Sequence, residues 1–146
     1  MRWRGVMRKL FMLVAGMLFF SFAGCSTNGL SIPKADSKTL YETEWKLLSI
    51  NGDHVAGSKI PTLKIDEDGR FGGFGGCNEY FGRAKVSGHT IFFGAIGSTR
   101  RYCIAGHALE HSYFEALQGP KHWRIKSSGK LLLYDDVNRL IFVPKR

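Results

Sequence analysis

The residues of this chain most able to do chemistry stand together at His107-Ala108-Leu109-Glu110-His111, which matches the inverted zincin pattern H-x-x-E-H. On a helix, two imidazoles at this spacing hold zinc while the carboxylate works as a general base. Cys103 precedes His107 by four residues, so Cys103, His107 and His111 could share one helix face. A zinc hydrolase using His107, Glu110 and His111 is therefore one function class to weigh. It needs a further ligand and a cleft, and nothing in the sequence brings Asp135 or Glu79 near. His107 and His111 read more simply as exposed helix residues. Ser98-Thr99-Arg100 lacks the G-x-S-x-G turn that activates a serine. Asp66-Glu67-Asp68 and Asp135-Asp136 lack the ligand order of a calcium loop. No catalytic residue, metal or cofactor is assigned, and the chain is expected not to be an enzyme.

The elements that would position such residues centre on Arg70-Phe71-Gly72-Gly73-Phe74-Gly75-Gly76-Cys77-Asn78-Glu79-Tyr80-Phe81-Gly82. Its glycines fit neither G-x-G-x-x-G nor the P-loop, and no helix pattern follows, which argues against nucleotide binding. Glycine at this density in a strand marks bends and close backbone contact. Phe71, Phe74, Tyr80 and Phe81 supply apolar area, as a strand coiling inside a small barrel requires.

Short β-like runs flank this stretch. They are Trp45–Ile50, ending at Asn51-Gly52, then Thr62–Ile65, Phe81–Val86, Thr90–Phe93, His122–Lys126, Lys130–Tyr134 and Leu140–Val143. With the glycine-rich strand they predict about eight strands in a meander or small barrel. Leu109, Tyr113, Ala116 and Leu117 recur at helical spacing between Gly106 and Gln118, and Gly119-Pro120 ends that helix. Its apolar stripe is read as covering the barrel, with a partner-binding face as the alternative.

The amino terminus carries a different signal. Arg2, Arg4, Arg8 and Lys9 precede the apolar run Leu10–Phe22, which is too short for a bilayer span of about 20 residues and fits a signal h-region. Phe22-Ala23-Gly24-Cys25 resembles the bacterial lipobox, in which Cys25 becomes the lipidated first residue; an ordinary secretory signal is the alternative. Ser26 in place of Asp favours, by resemblance to the enterobacterial sorting rule, an outer-membrane anchor with the domain facing the periplasm. Residues 1–24 are thus expected to be a signal peptide and 25–39 a lipidated start and flexible tether, with the domain at 40–146. The 146 residues include 21 Lys+Arg, four of them in the amino-terminal segment. The remaining 17 against 12 Asp+Glu leave +5, too scattered for a nucleic-acid partner. Arg100-Arg101 is the tight pair before the carboxyl end; the surplus reads as solvated surface charge, since no helix or stripe gathers it, and weak attraction to anionic lipid head groups is the alternative.

Gly76-Cys77-Asn78-x-Tyr80-Phe81-Gly82 resembles the core motif of the META domain, found in HslJ-like bacterial lipoproteins. Trp45-x-Leu47, Asn51-Gly52, Pro61-Thr62-Leu63, Gly69-Arg70, Ser98-Thr99-Arg100 with Cys103, Phe114-x-x-Ala116-Leu117 and Leu131-x-Leu133 follow the family's order. The chain departs from it at Arg101-Tyr102, where a methionine is usual. The resemblance implies a mainly β, lipocalin-like antiparallel barrel, open or closed, with one α-helix packed on it. It implies a non-enzymatic role in envelope maintenance or stress tolerance, through binding a protein or a lipid. A pilotin-like chaperone holding an apolar peptide or acyl chain is the alternative. With Cys25 lipidated, Cys77 and Cys103 remain, at family motif positions and even in number for an oxidising compartment. They are expected to form a disulfide; two buried thiols are the alternative.

Overall fold

A computed structural model describes residues 34–146, so the signal peptide, Cys25 and most of the expected tether lie outside the described residues. Nine strands follow the first helix. They are β1 (Trp45–Ile50), β2 (Asp53–His54), β3 (Thr62–Ile65), β4 (Arg70–Phe74), β5 (Glu79–Ser87), β6 (Thr90–Ser98), β7 (Gly119–Ile125), β8 (Leu131–Tyr134) and β9 (Arg139–Pro144). Each pairs antiparallel with its neighbour, and β1 also pairs with β9 from Trp45↔Pro144 to Ile50↔Leu140. That pairing closes an eight-stranded barrel. The two-residue β2 extends the edge of β1 beyond the point where β3 leaves it. Closure leaves no long exposed edge on strands this apolar.

Alternation decides which side chains enter the barrel. Trp45 and Leu47 in β1, Leu63 and Ile65 in β3, Ile91 and Phe93 in β6, Leu131 and Leu133 in β8, and Leu140 and Phe142 in β9 are all buried. Trp123 joins them from β7, and its indole N–H donates to Gly88 O at 3.0 Å. The interior is thus filled by large side chains. Truncating Trp45 or Trp123 to Ala would cost about 3–5 kcal/mol.

Strands β5 and β6 run further than sequence patterning indicates, to Ser87 and Ser98. Gly94 and Gly97 hide the end of β6 from propensity, and a register shift between Gly82 and Ala84 interrupts the alternation of β5. Strand β7 starts on Gly119-Pro120 itself, at a strand start where a proline is tolerated.

Among the described residues two helices pack on the barrel rather than one. The expected helix is α2 (His107–Leu117), and α1 (Lys34–Glu42) precedes β1, beginning inside the stretch 25–39 expected to be tether and running on into the domain. Leu40 causes this: its side chain is fully buried, and its carbonyl accepts the Trp45 indole N–H at 3.1 Å. Helix α1 leads into the start of β1, whereas α2 contacts the loop between β4 and β5. Strands β1 and β4 run parallel, each antiparallel to β3, so the two helices close opposite ends of the barrel.

Candidate functional site

The motif loop after β4 is built by close approach of backbone to helix. A Cβ on Gly75 would lie 2.8 Å from Glu110 Oε2 and 2.7 Å from the Phe114 ring. Gly106, at φ 103°, brings its missing Cβ to 2.5 Å from Gly76 O. Glycine at both positions lets the turn Gly75–Asn78 lie directly against the start of α2.

Glu110 fixes that contact. Its Oε2 accepts the amide hydrogens of Cys77 at 3.0 Å and Asn78 at 2.5 Å, and its Oε1 accepts Asn78 Nδ2 at 2.9 Å. Asn78 is buried and serves on every side. Its Oδ1 accepts Arg101 N–H at 2.7 Å and the Thr99 hydroxyl at 3.0 Å, and its Nδ2 also donates to Arg101 O at 3.3 Å. A disulfide joins Cys77 to Cys103, with their Cα atoms 5.9 Å apart. The β6–α2 loop is therefore held to the motif loop at residues 99, 101 and 103.

This geometry separates the residues of the zincin-like pattern. Glu110 points inward and is occupied by three donors. His107 is exposed, and His111 sits on the outer helix face 3.7 Å from Glu115. Cys103 is in the disulfide. Among the described residues no three His, Cys, Asp or Glu side chains gather as a metal site. Ser98 and Thr99 are exposed, with Thr99 engaged on Asn78.

The remaining motif residues divide by face. Tyr80 points inward, and its hydroxyl donates to Thr62 O at 2.6 Å; Tyr113 Oη lies 2.7 Å from Tyr80 Oη and 3.4 Å from the same carbonyl, so the two phenols share it. Burial pushes both phenols up from their ordinary range. Phe81 points outward, 65% exposed, with its ring across Gly97, where a Cβ would meet it at 2.9 Å. Such cross-strand aromatic cover of glycine supports a bent sheet. Beside it an open groove of about 730 Å³ runs over Gly72, Gly82, Ala95 and Gly97, with Lys64, Arg70 and Arg83 at its rim.

Elsewhere, Lys121 is buried beneath the β7–β8 sheet. Its ammonium donates to Asp135 Oδ2 at 2.6 Å and to Gln118 O at 2.8 Å. Partial burial of Asp135 raises its pKa, but Lys121 and the amides of Asn138 and Val137 outweigh this and hold it at about 2.

Sequence reasoning missed the roles of Glu110 and Thr62. The available signal for Glu110 was its position. It falls on the same stripe as Tyr113 and Leu117, at i+3 and i+7, where a carboxylate must find donors or leave the core.

These features define a small closed antiparallel barrel, stoppered by a helix at each end, whose signature loop is tied to a helix by a carboxylate and a disulfide. The chain belongs to the META domain family, which matches it over residues 38–146. The fold is shared with an NMR structure of a protein from Burkholderia xenovorans, 24% identical, with a TM-score of 0.61 over 79% of this chain and 90% of that one. A second NMR structure, 22% identical, also reaches 0.61, over 73% of this chain and 92% of its own. No curated protein matches the chain.

Proposed function

We propose that this is a non-enzymatic lipoprotein of the bacterial envelope, anchored in the outer membrane through Cys25, whose META domain binds a protein or a lipid in envelope maintenance or stress tolerance. The observation that carries the non-enzymatic part is the engagement of Glu110. The one carboxylate placed by sequence to act as a base instead accepts three hydrogen bonds that hold the motif loop. The barrel interior is filled, which leaves the outer surface for recognition. Anchoring rests on the order of charged segment, short apolar run and Ala23-Gly24-Cys25. The Cys77–Cys103 bond suits an oxidising compartment.

The test is acyl labelling and membrane fractionation of the wild type and Cys25→Ser. The variant is expected to lose the label and leave the membrane or stall in processing; label that survives the change refutes the anchor. Metal analysis of the purified protein tests the zinc hydrolase, for which one tightly held zinc per chain, lost in His107→Ala, would be needed.

A second reading, capture of an apolar peptide or acyl chain, has one observation in its favour: the outer groove beside Phe81. Its occupant would lie on the barrel wall rather than inside it.

A further inference from the structure

The β6–α2 loop carries an unusual pairing of rigidity and exposure. Tyr102 and Ile104 are 91% and 93% exposed, the most exposed of the large apolar side chains in the described residues. Arg100 and Arg101 beside them are exposed and form no ion pair among the described residues. The backbone that presents these four side chains is nevertheless fixed. Thr99 N–H donates to Glu79 O, Arg101 is held through both its N–H and its C=O by Asn78, and Cys103 is bonded to Cys77. Residues 100, 102 and 104 therefore alternate with three pinned positions. A loop that kept aromatic and aliphatic groups in water merely as a linker would not need that fixation. A loop that inserts them elsewhere gains by it, because the ordering entropy is already lost before contact.

We propose that Arg100, Arg101, Tyr102 and Ile104 form a membrane-contact tip that inserts into the interface of an anionic phospholipid surface. Tyrosine suits the headgroup level, with its ring in the apolar boundary and its hydroxyl wet. Ile104 adds an apolar wedge, and two arginines without counter-ions are attracted by phosphate. The apolar and cationic groups are adjacent on one loop, as shallow insertion requires. The mild positive charge of the chain beyond its amino-terminal segment supports the approach of an anionic surface. The nine residue steps from Cys25 to Lys34 can reach at most about 32 Å, which allows anchor and tip to meet one membrane with the barrel lying along it.

This deepens the proposed binding role and rests on it, with lipid as the chosen partner. The experiment uses the full chain carrying Tyr102→Trp, with vesicles of phosphatidylethanolamine and phosphatidylglycerol whose phosphatidylglycerol acyl chains are brominated. Trp45 and Trp123 are buried, and in the lipidated chain, from which Trp3 is removed with residues 1–24, these two set a background read from the wild type. The emission added by Tyr102→Trp is expected to shift to the blue and to fall by at least half. Adding Arg100→Glu and Arg101→Glu should restore most of it, as should brominated phosphatidylcholine vesicles that lack anionic lipid. Those two substitutions alter exposed side chains and leave the Asn78 hydrogen bonds to the backbone in place. Unquenched emission in anionic vesicles overturns the proposal, and so does quenching that neither charge reversal nor neutral lipid reduces. A blue shift seen only when envelope proteins are added back overturns it in favour of a protein partner. Acyl label at Cys25 is measured in the same preparation. Label without quenching fails the tip alone; absence of label fails the anchor, while quenching by added vesicles still reads the tip.

Discussion

The Glu110 carboxylate and the Asn78 backbone amide meet at 2.5 Å across the junction between α2 and the motif loop, and the Asn78 side chain returns a second hydrogen bond to the same carboxylate. Both residues are buried. A pair so placed is structural: it satisfies donors of a tight turn that would otherwise be cut off from water.

Removing the carboxylate should therefore be read in stability rather than in activity. Glu110→Ala leaves the Cys77 and Asn78 amides without an acceptor, at an expected cost of about 2–4 kcal/mol. Glu110→Gln keeps one oxygen but sets an NH₂ against a donor. If that NH₂ faces Asn78 Nδ2, Asn78 cannot flip to oblige it, since its Oδ1 already accepts from Arg101 and Thr99. About 1–2 kcal/mol is expected for Gln. Urea unfolding midpoints measure both; a change within about 0.5 kcal/mol for each variant, the range of ordinary surface substitutions, would remove Glu110 from the structural role.

Much of this fold is legible in the sequence, for identifiable reasons. Trp45-x-Leu47, Thr62–Ile65 and Leu131-x-Leu133 show their strands because one face of each is buried and turn residues bound them. Helix α2 is visible through Tyr113, Ala116 and Leu117. The resemblance over Gly76–Gly82 indicated the loop and Cys77. What stayed hidden depends on long-range partners. Helix α1 has a polar composition; the burial of Leu40 against Trp45 and the packing of the half-buried Tyr41 on the core hold it to the domain. The H-x-x-E-H spacing signalled a metal site because spacing does not tell which way Glu110 faces. That direction is set by Gly75 and Asn78, more than thirty residues away in the chain.

The buried ammonium of Lys121 gives the protein an acid-labile component. Asp135 is held at about 2, against a free carboxyl near 3.8. A carboxylate with a lowered folded-state pKa adds stability that is fully present above the unfolded value and is lost as pH falls through the folded one. The loss should therefore fall between about pH 4 and pH 2, and amount to about 1–2 kcal/mol, since the Asp135 side chain keeps some exposure. Asp135→Asn should be less stable at neutral pH and show a flatter decline over that window. Parallel pH profiles for wild type and variant would contradict the assignment.

Close approach at Gly106 is open to a direct test. Its Cβ would fall 2.5 Å from Gly76 O, a backbone atom held in the same turn, and the residue sits at φ 103°. Gly106→Ala should cost more than about 1 kcal/mol, because strain in the left-handed region adds to the clash. Gly52→Ala, also at positive φ but with open space around it, supplies the comparison and should cost less. Equal thermal shifts in the two variants would mean that the motif loop does not press on α2.

The disulfide and Glu110 hold the same turn, and that sharing can be measured. Cys77 and Cys103 are 26 residues apart, so loop closure alone predicts about 3.5 kcal/mol of stabilisation in the oxidised protein. Exported protein should show no free thiol at these positions under denaturing, non-reducing conditions. Cys77→Ala, Cys103→Ala and the double change should each lower stability by a similar amount, because each removes the same bond. Once the bond is gone, the Cys77–Asn78 turn is tethered to α2 mainly by Glu110, and the β6–α2 loop mainly by Asn78. Loss of Glu110 in the cross-linked protein strands two amides beside a loop that cannot move away. In the Cys77→Ala, Cys103→Ala protein the same loop can open and let water reach them. The cycle formed by Glu110→Gln and the double cysteine change should therefore be non-additive, with Glu110→Gln costing less without the disulfide by about 0.5–1 kcal/mol. Unfolding midpoints for the four proteins decide it. Strict additivity would mean that the two ties act on separate parts of the molecule, and two readily labelled thiols in the exported wild type would mean that the covalent tie is absent.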